Sequence, residues 1–144
     1  GGHVFLSYQW DTQKVVVRIA EELKKSGYRV WIDVEQMQGE MNRRMAEAVE
    51  GAAVVCPVLT SKYKGSANCM KELNYTDQRG CEMVPIVCDA ATSRRELLSG
   101  QVGLITSSLI YVDFSSTLGG GGQGGEFTIK IAELVRALGD RGKI

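Results

Sequence analysis

The sequence predicts an α/β domain built on a five-stranded parallel, doubly wound sheet with helices on both faces. Three observations carry that prediction. Val4, Phe5, Leu6, Ser7 and Tyr8 form an apolar run with no period-two alternation, as a strand covered on both faces requires. After a polar turn at residues 9–12, Val16, Ile19, Ala20 and Leu23 recur at i, i+3, i+4 and i+7; Gly27 then stops the helix, and a second strand-like run, residues 28–32, closes a βαβ unit. The same alternation continues to the C-terminus and yields five strands in 144 residues.

Each later element has its own signal. Residues 34–40 form a charged loop containing Gly39, and the helix after it carries Met41, Met45, Ala48 and Val49 on one face. The longest near-continuous apolar stretch, residues 52–59, is the third and central strand; Pro57 within it lacks a ladder donor, so a local irregularity is expected there. Residues 60–65 lead to a helix capped by Ser66 or Asn68, either of which places Glu72 in or just after the first turn, and that helix ends near Arg79-Gly80. Residues 83–88 are the fourth strand, with Pro85 near its start, 93–98 a short helix at best, 101–108 irregular and 109–114 the fifth strand. Phe127, Ile131, Leu134, Val135 and Leu138 mark the last amphipathic helix. A single domain over 1–144 is expected, with its core at 3–139 and a flexible glycine-rich loop at 115–125.

Composition excludes several function classes. Lysine plus arginine (17) equals aspartate plus glutamate (17), so nothing concentrates nucleic acid or an anionic membrane. No apolar stretch reaches the ~20 residues that span a bilayer and the N-terminus has no signal core, so a soluble domain without membrane contact is expected. The chain opens on Gly1-Gly2 without methionine, which reads as a piece of a longer protein or one trimmed after a tag. Cys56, Cys69, Cys81 and Cys88 lack paired CxxC spacing, and the single histidine, His3, stands at the start as an expected solvated residue; no metal site is expected. Cys56 and Cys88 lie in strand-like runs, where reduced thiols act as small hydrophobes, and this points to a reducing, cytoplasmic compartment.

The strand order expected is the flavodoxin-like 2-1-3-4-5, which puts the topological switch point between the first and third strands. The crevice there should be lined by residues 9–12 and 60–69, with Glu72 on the helix launched from the second wall. Gly120, Gly122 and Gly125 have GxGxxG spacing, but they fall in the last strand-to-helix connection with too little chain beyond them for a dinucleotide fold, so a surface loop is expected. A phosphoacceptor receiver needs an aspartate where this chain has Leu59-Thr60-Ser61. A flavodoxin needs a hydroxyl- and glycine-rich phosphate loop where it has Gln9-Trp10-Asp11.

Several stretches together resemble the Toll/interleukin-1 receptor (TIR) domain family. Phe5-Leu6-Ser7-Tyr8 looks like the family's first-strand box, residues 28–33 like its second strand and residues 34–40 like the loop that follows. Ser66-x-x-Cys69-x-x-Glu72 is similar to the signature helix start of NAD-consuming members, Val84-Pro85-Ile86 to the fourth strand, and residues 103–114 to the segment entering the fifth. The resemblance implies a TIR fold and an NAD glycohydrolase that releases nicotinamide, with ADP-ribose or a cyclic isomer as the other product. Glu72 would be catalytic, and Ser7, Tyr8, Gln9, Trp10, Ser66, Asn68 and Cys69 would surround NAD, which is substrate and not cofactor.

One carboxylate can suffice for this chemistry. Glycosidases need a second carboxyl group to protonate a poor leaving group, whereas nicotinamide leaves neutral from an already cationic pyridinium. Many active relatives carry an aromatic residue four positions before the glutamate; this chain has Asn68, and Trp10 across the expected cleft could supply a ring in its place. The family's second-strand loop also mediates contacts between domains, so Glu35, Met37, Gly39 and Glu40 are expected to meet other TIR domains in innate immune or cell-death signalling. The competing expectation is a non-catalytic adaptor or receptor module acting by homotypic association alone.

Overall fold

Strands β1 (His3–Ser7) and β3 (Ala52–Leu59) pair in parallel at the middle of a sheet whose edges are much shorter. The computed structural model describes residues 2–32, 41–118 and 124–144. Around that central pair lie β2 (Val30–Trp31), β4 (Ile86–Val87) and β5 (Val112–Asp113), all parallel, in the order β2-β1-β3-β4-β5. The order matches the expectation. Connecting them are α1 (Gln13–Lys25), α2 (Met41–Glu50), α3 (Ser61–Lys64), α4 (Ala67–Gln78), α5 (Arg94–Leu97) and α6 (Gly100–Thr106), with α7 (Gly124–Leu138) last.

Side-chain alternation along the strands sorts the core into two layers. Val4 and Leu6 of β1 and Val54, Cys56 and Val58 of β3 pack under Val16, Ile19 and Leu23 of α1 and Ile131, Leu134 and Leu138 of α7. On the other face, Phe5 and Val55 meet Ala48 and Val49 of α2, while Leu59 and Val87 meet Cys69 and Leu73 of α4, Leu97 of α5 and Val102 of α6. Each such Leu, Ile, Val or Phe contributes about 1.5–3 kcal/mol over an exposed one.

The departures from expectation have local causes. Residues 28–29 leave the predicted second strand because the C-terminal tail claims them: Tyr28 bridges Lys143 in antiparallel fashion, and the Arg29 N–H donates to the Gly142 carbonyl at 2.8 Å. Gly142 takes a positive φ of +84° there, and a Cβ on it would stand 2.7 Å from Val4 Cγ2, so only glycine fits. Of residues 101–108, expected to be irregular, 101–106 belong to the helix α6. Burial of Val102 and Thr106, one turn apart, overrides the weak helical propensity of a segment containing Gly100 and Gly103.

Pro57 keeps its place opposite Ser7 without shifting the β1–β3 register, whose irregularity falls instead between His3 and Val4. Two residues earlier, Val55 exchanges backbone bonds with Glu82 and Val84 on the β4 side. The missing proline donor therefore falls in the gap between the Val55–Met83 bridge and the Val58–Ile86 ladder. His3 is not a solvated end residue: its Nε2 lies 2.9 Å from the Ala48 carbonyl oxygen and its ring 4.9 Å from Trp31, and burial, against that bond, lowers its pKa. In the stretch expected as a loop at 115–125, Ser115–Thr117 is a 3-10 turn and α7 begins at Gly124; residues 119–123, which include two glycines of the GxGxxG spacing, lie outside the described residues.

Candidate active site

Strand alternation sends Ser7 and Tyr8 to opposite faces. Ser7 shares the face of Phe5, toward α2 and α4, and is 2% exposed. Tyr8, expected beside substrate, packs half-buried against the α1–α7 layer.

Ser7 is the centre of a short hydrogen-bonded chain. Its Oγ donates to Glu72 Oε1 at 2.5 Å, and the phenol oxygen of Tyr63, fully buried, lies 2.8 Å from the same Oγ. Burial, then the neighbouring Glu72 charge, raises the Tyr63 pKa well above the ordinary phenol value, so this hydroxyl keeps its proton. Tyr63 was not legible as a site residue. The local signal was Thr60, whose Oγ1 accepts the Tyr63 N–H at 2.9 Å and caps α3.

Glu72 comes from α4, whose N-cap is Ser66 and not Asn68: Ser66 Oγ accepts the Cys69 N–H at 3.2 Å. Glu72 is thus the sixth residue of a helix that starts at Ala67, and no acidic residue occupies the first turn. The helix macrodipole does little for its ionised form there, because that effect fades within the first turn. The Ser7 hydroxyl takes its place, since a donor to a carboxylate favours the charged form. Cys69, one turn before Glu72, is buried; desolvation lifts its thiol to about 11, against a bond from Ser66 and with help from the Glu72 charge. It belongs to the α4 core as an apolar group and is not a nucleophile.

Glu72 borders a cavity of about 300 Å³ between α2 and α4, with Asn42, Met45 and Ala46 on one wall and Lys71 and Tyr75 on the other. Lys71 Nζ donates to Asn42 Oδ1 at 3.1 Å across it. A second cavity, about 310 Å³, lies at the C-terminal ends of β1, β3 and β4 and is lined by Gln9, Asp11, Ser61, Lys62 and Asp89 among others. Gln9 therefore faces this second space, where its Oε1 also caps the 3-10 turn Trp10–Thr12 by accepting the Asp11 N–H at 2.9 Å. Trp10 on that turn is 44% exposed, and Asn68, in the first turn of α4, is exposed. Glu35, Met37, Gly39 and Glu40 lie outside the described residues. Among the described residues no group of histidine, cysteine or acidic side chains could hold a metal ion, and no helix is long and apolar enough to cross a membrane.

A parallel 2-1-3-4-5 sheet with a carboxylate gripped at the carboxyl end of its first strand defines a doubly wound α/β domain with its site beside the switch point. The family model for the TIR domain matches residues 4–125, and the chain belongs to that family. Solved structures agree in fold. The TIR domain of the Toll-related receptor TRR-2 from Hydra magnipapillata has a TM-score of 0.64 at 15% identity, over 92% of this chain and 94% of that one. The TIR domains of the activated Roq1 resistosome directly recognizing the pathogen effector XopQ reach 0.64 at 17% identity, over 90% and 97%. No curated protein matches the chain.

Proposed function

We propose that this TIR domain cleaves NAD between nicotinamide and ribose, with Glu72 as the catalytic carboxylate. The observation that carries the reading is the 2.5 Å bond from Ser7 to Glu72, which fixes one carboxylate oxygen at the edge of a cavity. In the reaction the bond from the ribose anomeric carbon to the ring nitrogen breaks, and its electron pair passes to the pyridinium, so nicotinamide leaves neutral. Positive charge develops on the ribose, and a fixed carboxylate beside it stabilises that charge without reorganising. Water then adds to the anomeric carbon and loses a proton to give ADP-ribose; attack by a nucleophile within the same substrate gives a cyclic isomer instead. NAD is the substrate, and the scheme uses no cofactor.

Other copies of the domain are the partners we propose, in cytoplasmic innate immune or cell-death signalling. A resistosome holding TIR domains is among the structures this chain is similar to. Residues 34–40, where contacts between copies were expected, would bring two domains together, and release of nicotinamide per domain should then rise with concentration.

Incubating the concentrated domain with NAD and following nicotinamide by chromatography beside Glu72→Ala tests the reading. Release that falls by about 10²-fold or more in the variant supports it. Equal release from both proteins, or none from either, overturns it. Asn68, exposed where many active relatives place a ring, favours the second reading, a non-catalytic module that self-associates; in that case sedimentation detects assembly while NAD stays intact.

A further inference from the structure

We infer that Tyr63 is a positioning residue for Glu72: its phenol donates to Ser7 and so commits the single Ser7 hydroxyl proton to the Glu72 carboxylate. The direction of the chain follows from the donor inventory. An ionised carboxylate only accepts, so the proton on the 2.5 Å contact belongs to Ser7. Ser7 then has lone pairs but no second proton to offer, and the 2.8 Å contact must be filled by the Tyr63 O–H. Ser7 is 2% exposed and Tyr63 fully buried, so water does not compete for the link between them. A serine hydroxyl left to itself rotates among staggered wells; with Tyr63 on one lone pair, the well that points at Glu72 is selected. Successive bonds in such a chain also polarise one another.

The surrounding structure holds the short helix that carries this phenol in place. A four-residue helix is not stable alone, yet α3 is tied at each residue. Ser61 N–H donates to Asp89 Oδ2 at 2.8 Å, Lys62 pairs with Asp11, Tyr63 N–H is capped by Thr60, and Lys64 Nζ donates to the Glu96 carbonyl at 2.7 Å. Phenylalanine would fill the same volume. The hydroxyl is what the Ser7 link uses.

The charged and titratable groups around Glu72 are few among the described residues. From α3 it faces Tyr63. On α4, Lys71 and Tyr75 border the same cavity and Cys69 stays a thiol at neutral pH, while the α2 wall of that cavity is Asn42, Met45 and Ala46, all uncharged.

The inference rests on the proposed reaction only for its kinetic readout, so the test has two arms. In the first, the Glu72 side-chain carboxyl is titrated by carbon-13 NMR in the wild-type domain, Tyr63→Phe, Ser7→Ala and Leu134→Ala, with Glu72→Gln giving the assignment. The midpoint should rise in Tyr63→Phe and rise further in Ser7→Ala. Leu134→Ala, which opens the α7 layer on the opposite face of the sheet, should lower Tm and leave the midpoint unchanged. In the second arm, Tyr63→Phe should lower kcat for nicotinamide release by about 3- to 10-fold with KM within about 2-fold, and the acid limb of the kcat profile should move to higher pH. An unchanged midpoint in Tyr63→Phe, or a midpoint that follows Tm across all the variants, overturns the assignment. Absence of NAD cleavage by the wild-type domain would remove the proposed reaction while the titration still decides the role of Tyr63.

Discussion

At the scale of single residues, the site turns on which oxygen atoms are fixed and which aromatic rings are near. Asn68 stands exposed in the first turn of α4, and an aromatic ring at that position should stack on the nicotinamide end of NAD. Stacking worth about 1 kcal/mol corresponds to roughly fivefold, so Asn68→Trp is expected to raise kcat/KM for NAD by about that factor, as steady-state nicotinamide release would measure. No change, or a loss, would mean that the ring position is not used here. That Ser66, Cys69 and Glu72 share one helix start was legible because such a start is a local pattern: a cap, then a three-residue rhythm. Tyr63 was not, because its meaning comes from Ser7, 56 residues away, and no local pattern encodes that meeting. The choice between Ser66 and Asn68 as cap was also beyond the sequence, yet it decides whether Glu72 lies in the first or second helical turn.

Among elements, length separates what could be read from what could not. The central strands and the helices α1, α2 and α7 run long enough for their apolar period to show, and all stand where the pattern puts them. The four-residue α3 and the seven-residue α6 have too few turns to display a period, and contacts distant in sequence create them. α6 offers a test against propensity. Gly103 lies in its interior, and alanine is the better helix former, yet a Cβ there would meet the Leu98 carbonyl oxygen at 2.5 Å. Gly103→Ala should therefore destabilise the domain by about 1–3 kcal/mol in urea unfolding, where propensity alone would give a gain of about 1 kcal/mol. The edge strands were overestimated for a related reason: an apolar run marks burial, and Tyr28 and the Arg29 N–H bond to the C-terminal tail, which leaves only the Arg29 carbonyl to accept from Val4 of β1.

For the molecule as a whole, pH dependence is set by groups that join distant segments. Asp89, after β4, is pushed up by partial burial, but the Ser61, Ala91 and Thr92 N–H groups and the Thr92 hydroxyl all donate to it and leave its pKa lowered. Its folded-state value lies below the unfolded one, so its contribution is present above the unfolded pKa and is lost as pH falls through the folded value. Asp89→Asn should thus be less stable than wild type at neutral pH, with the gap narrowing as pH drops from about 5, as denaturation at a series of pH values would measure. The brevity of β2 and β5, each a two-residue ladder at a margin of the sheet, bears on life in a crowd. A long bare margin would offer rows of unsatisfied amides to any neighbour and zip identical chains into fibrils. Margins this short deny that route, so the concentrated domain is expected to stay free of edge-to-edge pairing, as light scattering would measure.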